Sequence, residues 1–205
     1  MPLTELRRAL QQRRRQLPPD YRAQANARLT ARIWQLPVFR RAHRIAGYIA
    51  CRGEADPLMA MLLARCQHKQ ICLPALHPFL PRKLIFAPWT ATTRLQRNRY
   101  NIPEPDVSWR HCVRPRRLDL VLTPLLGFDA QANRLGMGGG YYDCTFAFRR
   151  YCGHWPRPYL LGIAFSEQQC EVLPVNPWDI PLDAVATPDD LFLPDPKAHH
   201  HVYAN

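Results

Sequence analysis

Four glycines fall within five positions at Gly136-Met137-Gly138-Gly139-Gly140, with Arg134 just before them and Asp143 just after. Glycine has no Cβ to hold a ligand off the backbone and adopts positive φ at little cost, so the amides of such a run can reach phosphate oxygens. The run leads into Tyr141-Tyr142-Asp143, which reads as the first turn of a helix, and a helix N-terminus adds unpaired N–H groups and a partial positive charge. Arg134 places a full positive charge beside the loop. Asp143, one turn into the helix, is placed to share a magnesium ion with bound phosphates. Together these features describe a phosphate cradle, with a tight structural turn as the alternative for the glycines and simple helix-dipole stabilisation as the alternative for Asp143. The P-loop pattern G-x-x-x-x-G-K-[ST] is absent, and so is a G-x-G-x-x-G run followed by a distant acidic residue.

The elements that must carry this loop can be read from apolar spacing and from 21 prolines. Leu3, Leu6 and Leu10 recur at helical spacing and predict a helix over residues 3–16, ended by Leu17-Pro18-Pro19. A second helix is expected from Asp20 to Gln35, stopped by Pro37. A third follows Asp56-Pro57, a capping side chain before proline, and continues through Leu58 to Cys66. Strands are expected at 45–50, 71–74, 84–87, 118–124 and 160–165. Residues 90–117 read as polar surface loop, and 141–152 as the helix behind the glycines. Alternating strands and helices favour an α/β fold around a largely parallel sheet, with the glycine loop after its best strand, where such sheets place ligands. Residues 1–194 are expected to form one domain and 195–205 a disordered tail.

Composition sets the remaining bounds. The 205-residue chain carries a formal net charge of +12 with only Lys69, Lys83 and Lys197 as lysines, so arginine supplies most of the charge. That balance attracts polyanions, whether nucleotides, a polyglutamylated cofactor or nucleic acid. Arg13-Arg14-Arg15 is the densest run and reads as a solvated helix face. No nucleic-acid-binding motif occurs, and the apolar runs are too short to span a bilayer. Seven cysteines without C-x-x-C spacing read as free buried thiols in a reducing compartment, and the chain as cytoplasmic.

The segment R-L-G-x-G-x-G-Y-Y-D at 134–143, preceded by F-D-x-x-x-N at 128–133, resembles the signature of the 5-formyltetrahydrofolate cyclo-ligase family, in its bacterial branch. Other segments are similar in the same order: the basic first helix with Leu6-Arg7, Tyr48 to Glu54, Asn101-Ile102-Pro103-Glu104-Pro105, Gly162 to Phe165 with Gln168, and Pro174 to Asp183. The resemblance implies a three-layer α/β/α sandwich, acting as a monomer. It implies an enzyme that uses ATP and magnesium to convert 5-formyltetrahydrofolate, free or polyglutamylated, to 5,10-methenyltetrahydrofolate through phosphorylation of the formyl oxygen. Arg7 and the segment Arg134, Leu135, Gly136, Met137, Gly138, Gly139, Gly140, Tyr141 and Tyr142 would contact ATP. Ile49 and Glu54, with Gly138 to Tyr142, would contact the folate. Arg134 and Tyr142 would be catalytic, and Asp143 and Asp179 would hold magnesium. Many members carry cations where this chain has Leu3, Met137, Gly139 and Cys144. Other readings stand beside these: Glu54 as a loop carboxylate, Asp179 as a turn cap, Arg7 as a solvated face, and the whole chain as a folate-binding protein without catalysis or as a nucleic-acid-binding module.

Overall fold

A computed structural model describes residues 2–151 and 157–195. In chain order the elements are α1 (Leu3–Gln16), α2 (Pro19–Gln35), α3 (Pro37–Arg41), β1 (Arg44–Ala46), α4 (Leu58–Cys66), β2 (Gln70–Leu76), β3 (Leu84–Pro88), β4 (Leu95–Arg97) and β5 (Pro103–Pro105). There follow β6 (Leu120–Pro124), β7 (Gly127–Phe128), β8 (Arg134–Leu135), α5 (Tyr141–Phe146), β9 (Tyr159–Ile163), β10 (Ala184–Ala186) and β11 (Leu191–Phe192).

Seven strands form one sheet in the order β11-β10-β9-β6-β1-β2-β3. The five inner strands run parallel, and antiparallel β3 and β11 close the two edges. Alternate residues of each strand point to opposite faces. Ile45, Ile71, Leu73, Leu120, Leu122, Leu161 and Ile163 pack with Ala25, Leu29 and Ile33 of α2 and with Ala60, Met61 and Ala64 of α4. Ala46, Cys72, Val121, Leu160 and Val185 face the other way, with Phe86, Phe128 and Phe146 of α5. Helices on both faces of a largely parallel sheet make the α/β/α sandwich that the resemblance implies, on the α/β plan that the strand–helix alternation favours.

The departures from expectation are local. Pro37 ends α2 and, with its φ already helical, also opens α3. The strand expected over 45–50 leaves the sheet after Ala46, where Met61 of α4 packs directly on Gly47 in the space a Cβ would take. The expected loop over 90–117 contains the β4–β5 hairpin, whose three-residue strands, the second of them Pro-Glu-Pro, carry too few residues for a period to show. The helix behind the glycines is α for only six residues and then tightens into a 3₁₀ turn over Ala147–Tyr151. Its expected end at Cys152 lies outside the described residues, as does the expected tail apart from Asp195. α4 starts one residue later than expected, with Pro57 as its cap residue and Asp56 just before it accepting a hydrogen bond from the Leu58 amide at 2.9 Å. Among the described residues six cysteines are free, and of these only Cys72 is buried while Cys66 is exposed. Arg14 is no part of a solvated face: it is 1% exposed.

Candidate active site

Chain order along the sheet reverses at β1, since β2 lies on one side of it and β6 on the other. The loops after β1 and β6 therefore diverge, and open α/β sheets bind their ligands in the crevice left between them. A cavity of about 820 Å³ occupies this place. It is lined by Tyr48, Ile49 and Glu54 beyond β1, Leu73 to Leu76 at the end of β2, and Pro124 and Leu125 at the end of β6. Arg7 of α1 lines it too, as do residues 134–144, Asn176, Trp178 and Asp179. Every candidate site residue named from the sequence thus reaches one cavity, although they span positions 7 to 179.

The glycine loop is shaped as its composition requires. Gly138 has φ +95° and Gly140 φ +67°, a left-handed geometry that residues with a Cβ adopt only under strain. Gly140 is the cap residue of α5, and its carbonyl accepts from the Cys144 amide at 2.9 Å. Arg7 donates from Nε to the Gly136 carbonyl at 3.0 Å, and its guanidinium lies over Gly138. The α1 face that carries Arg7 is held by Leu10, which is buried with Leu135 and Leu173. Arg7 is therefore docked on the loop and is not a solvated cation.

Arg134 makes a charged hydrogen bond from Nη2 to Asp143 Oδ1 and another from Nη1 to the Ile180 carbonyl at 3.2 Å. The same Asp143 oxygen accepts from the Ile180 amide at 3.0 Å, so the segment beginning at Asp179 is stitched to the start of α5. Asp179 accepts from the amide and side chain of Asn176 at 2.8 and 3.1 Å, which closes a tight turn. Asp143 and Asp179 both line the cavity, and no cluster of three or more potential metal ligands occurs among the described residues. Two carboxylates in one cavity wall with a glycine loop fit magnesium, which keeps several waters and takes few protein ligands.

At the other end of the cavity, Glu54 accepts from the Cys51 amide at 3.0 Å through Oε2, while Oε1 faces Arg14 Nη1 at 3.6 Å. Tyr48 is buried and donates to the Ala55 carbonyl at 2.6 Å. Burial, with the Glu54 charge adding to it, pushes the phenols of Tyr48 and Tyr142 well up, so both stay protonated at neutral pH. Burial and Glu54 likewise push the Cys51 thiol up to about 11, far from thiolate chemistry. Tyr142 lies under the Arg134 guanidinium, 5.8 Å from it, and beside Phe146. The neighbouring Tyr141, also in the cavity wall, pairs with the β4–β5 hairpin, its hydroxyl 2.8 Å from that of Tyr100 and accepting from Arg99.

Sequence reasoning overlooked two parts of this site. One is the β4–β5 hairpin, where Asn98, Tyr100 and Glu104 line the cavity and Glu104 accepts from the Leu76 amide at 3.0 Å. The resemblance at Asn101–Pro105 was its only signal. The other is Arg14, whose signal was periodic: it lies four residues beyond Leu10 and seven beyond Arg7, on the face that packs inward. Cations other than those at the departing positions also line the cavity, namely Arg52, Arg82 and Arg150 in addition to Arg7 and Arg134.

Comparison with known proteins gives the same answer by an independent route. Residues 3–188 match the profile of the 5-formyltetrahydrofolate cyclo-ligase family. The chain is 37% identical over 185 residues to the 5-formyltetrahydrofolate cyclo-ligase of Escherichia coli, covering 89% of this chain and 98% of that one. To the Haemophilus influenzae enzyme it is 35% identical over 161 residues, covering 78% and 83%. The solution structure of Aquifex aeolicus 5,10-methenyltetrahydrofolate synthetase superposes with a TM-score of 0.78 at 25% identity, covering 98% of this chain and 99% of that one. With the fold, the cavity and the glycine loop in agreement, the chain belongs to the 5-formyltetrahydrofolate cyclo-ligase family.

Proposed function

We propose that this chain uses ATP and magnesium to convert 5-formyltetrahydrofolate to 5,10-methenyltetrahydrofolate, releasing ADP and phosphate. One observation carries the reading: the glycine loop with Arg7 and the Ile49–Glu54 loop line the same 820 Å³ cavity, so a phosphate donor and a second ligand can meet there. Transfer of the γ-phosphoryl group to the formyl oxygen turns that oxygen into a leaving group, nitrogen 10 closes the ring on the carbon, and phosphate departs. Catalysis of such a transfer is mostly positioning and charge neutralisation.

In this reading the amides of Gly136 to Gly140 and the N-terminus of α5 receive the phosphates, with Leu135 and Met137 completing that wall. Arg7 and Arg134 offset their charge. Asp143 and Asp179 hold magnesium, which supplies further neutralisation. Tyr142, kept protonated by burial, can donate a hydrogen bond at the junction of the two ligands beside Arg134. Glu54 accepts from donors on the pterin ring, Ile49 supplies an apolar contact, and Tyr141 with Gly138 to Gly140 borders both ligands. The net charge of +12 serves anionic ligands, including a polyglutamylated folate, and the protein acts as a cytoplasmic monomer needing neither nucleic acid nor membrane. Among the described residues, no helix is long and apolar enough to cross a membrane.

The test is direct. Purified protein mixed with 5-formyltetrahydrofolate, magnesium and ATP should develop the near-ultraviolet absorbance of the methenyl product, with one ADP formed per product. All three components should be required. Folded protein that gives no product above background would overturn the reading, and folate binding without ATP turnover would identify a protein of this fold that has lost catalysis.

A further inference from the structure

Arg14 is a fully buried cation outside the cavity wall. Its guanidinium reaches three things at once: the Leu125 carbonyl just past β6 at 3.3 Å, the Arg52 carbonyl at 3.3 Å, and Glu54 Oε1 at 3.6 Å. Its side chain is 1% exposed and that of Glu54 12%, and Arg14 Nε has no partner among the described residues. An incompletely satisfied buried arginine is expensive to keep, and hydrophobic replacement of buried charges is often neutral or stabilising. Its presence therefore needs a reason other than packing.

The loop it grips supplies one. Arg52 has φ +51° and Gly53 φ +78°, two consecutive left-handed residues immediately before Glu54. A non-glycine residue holds that conformation only where its surroundings impose it. The carbonyl that Arg14 binds is that of Arg52 itself, and the charge it faces is that of Glu54. The Leu125 carbonyl, also bound by Gln168 Nε2 at 2.9 Å, anchors the other side of the fork to the sheet. Arg14 thus spans the loops after β1 and β6, the two strands between which the cavity opens.

We propose that Arg14 is a positioning residue for the substrate end of the cavity: it holds the turn at 51–54 and aims the Glu54 carboxylate. This rests on the reading of Glu54 as the folate contact. Arg14 and Arg7 lie two turns apart on one face of α1, about 10 Å along the axis. The helix therefore presents one arginine to each end, and the Leu10–Leu135–Leu173 cluster between them holds Arg7 in place whether or not Arg14 is intact.

The experiment compares Arg14→Met and Arg14→Lys with wild type in the ATP- and folate-dependent assay, alongside thermal unfolding. Misplacing a ligand-facing group by an ångström is enough to change a rate on the order of 100-fold, so Arg14→Met should raise the folate KM on the order of 10- to 100-fold. Its ATP KM should stay within about 3-fold, because Arg7 and the glycine loop keep their contacts. Arg14→Lys keeps the charge but loses the fork, and should fall between the two. In combination with Glu54→Gln, Arg14→Met should add little further to the folate KM, since the group it aims is already impaired. If Arg14→Met does not fold, the lysine variant and its combination with Glu54→Gln carry the same comparison. An unchanged folate KM, equal losses for folate and ATP, or fully additive effects would overturn the proposal and make Arg14 a purely structural residue. Absence of product from wild type would instead overturn the functional reading on which the proposal stands.

Discussion

At the glycine-loop end of the cavity the groups proposed to face a ligand are backbone amides, shaped by φ +95° at Gly138 and φ +67° at Gly140, with Arg7 bonded to the Gly136 carbonyl and Arg134 to Asp143 at the start of α5. At the Glu54 end they are side chains, and their geometry depends on a cation buried on another element, forty positions earlier in the chain. Backbone geometry is written locally, because only certain residue types tolerate it. Side-chain geometry is written in partners, which adjoin one another only after folding. The first end should therefore fail abruptly when a glycine is replaced, and the second by degrees as partners are removed.

The largest expected effect is at Gly138. A Cβ there has room, since its nearest neighbour would be the Arg7 guanidinium at 3.6 Å, but valine cannot hold φ +95° without strain. Gly138→Val should lose ATP binding by calorimetry and retain a cooperative unfolding transition. Loss of such a preorganised element should lower turnover on the order of 100- to 1000-fold. Wild-type ATP binding by this variant would remove the distinction between the two ends.

Asp143→Asn probes whether charge matters at the backbone end. It keeps the shape but discharges the partner of Arg134 and one of the two candidate magnesium ligands. Turnover should fall on the order of 100-fold at low magnesium and recover partly as magnesium is raised. A wild-type magnesium dependence would make Asp143 a pin for Ile180 and a helix-end charge only.

Glu54→Ala addresses the side-chain end. Loss of a hydrogen bond to a charged group is worth about 1.5–3 kcal/mol, so the folate KM should rise on the order of 10- to 100-fold. ATP binding should be nearly intact. A folate constant that does not move would remove Glu54 from the substrate site.

The smallest effect is expected at Gly136, where a Cβ would meet nothing within 4 Å and φ lies outside the left-handed region. Gly136→Ala should leave stability within about 0.5 kcal/mol of wild type. Any loss of ATP affinity in this variant would then report how closely a phosphate approaches the backbone at that position. Together, Gly136 and Gly138 separate the two properties of glycine, freedom of φ and absence of a side chain.

Much of the molecule could be read before it was seen. The α/β alternation, the break at Pro37, the helix start near Asp56-Pro57, and the glycine loop with Arg134 and Asp143 follow from residue types whose effect is local: proline fixes φ, aspartate accepts from amides, and glycine permits φ +95°. What local signals could not supply was distance across the chain. Three-residue strands in β4 and β5 carry no period, so Glu104 reads as a loop residue from sequence and only the structure puts it in a strand beside β2. Arg14 looked like one of three solvated arginines, because its partners at 52, 54 and 125 come together only when β1 and β6 pair. The sequence alone determined the shape of the glycine loop, through backbone conformations that few side chains allow. The tertiary structure alone decided that Arg14 stands against Glu54 and the Arg52 carbonyl, because the order of strands in a sheet arises from long-range pairing that no local pattern records.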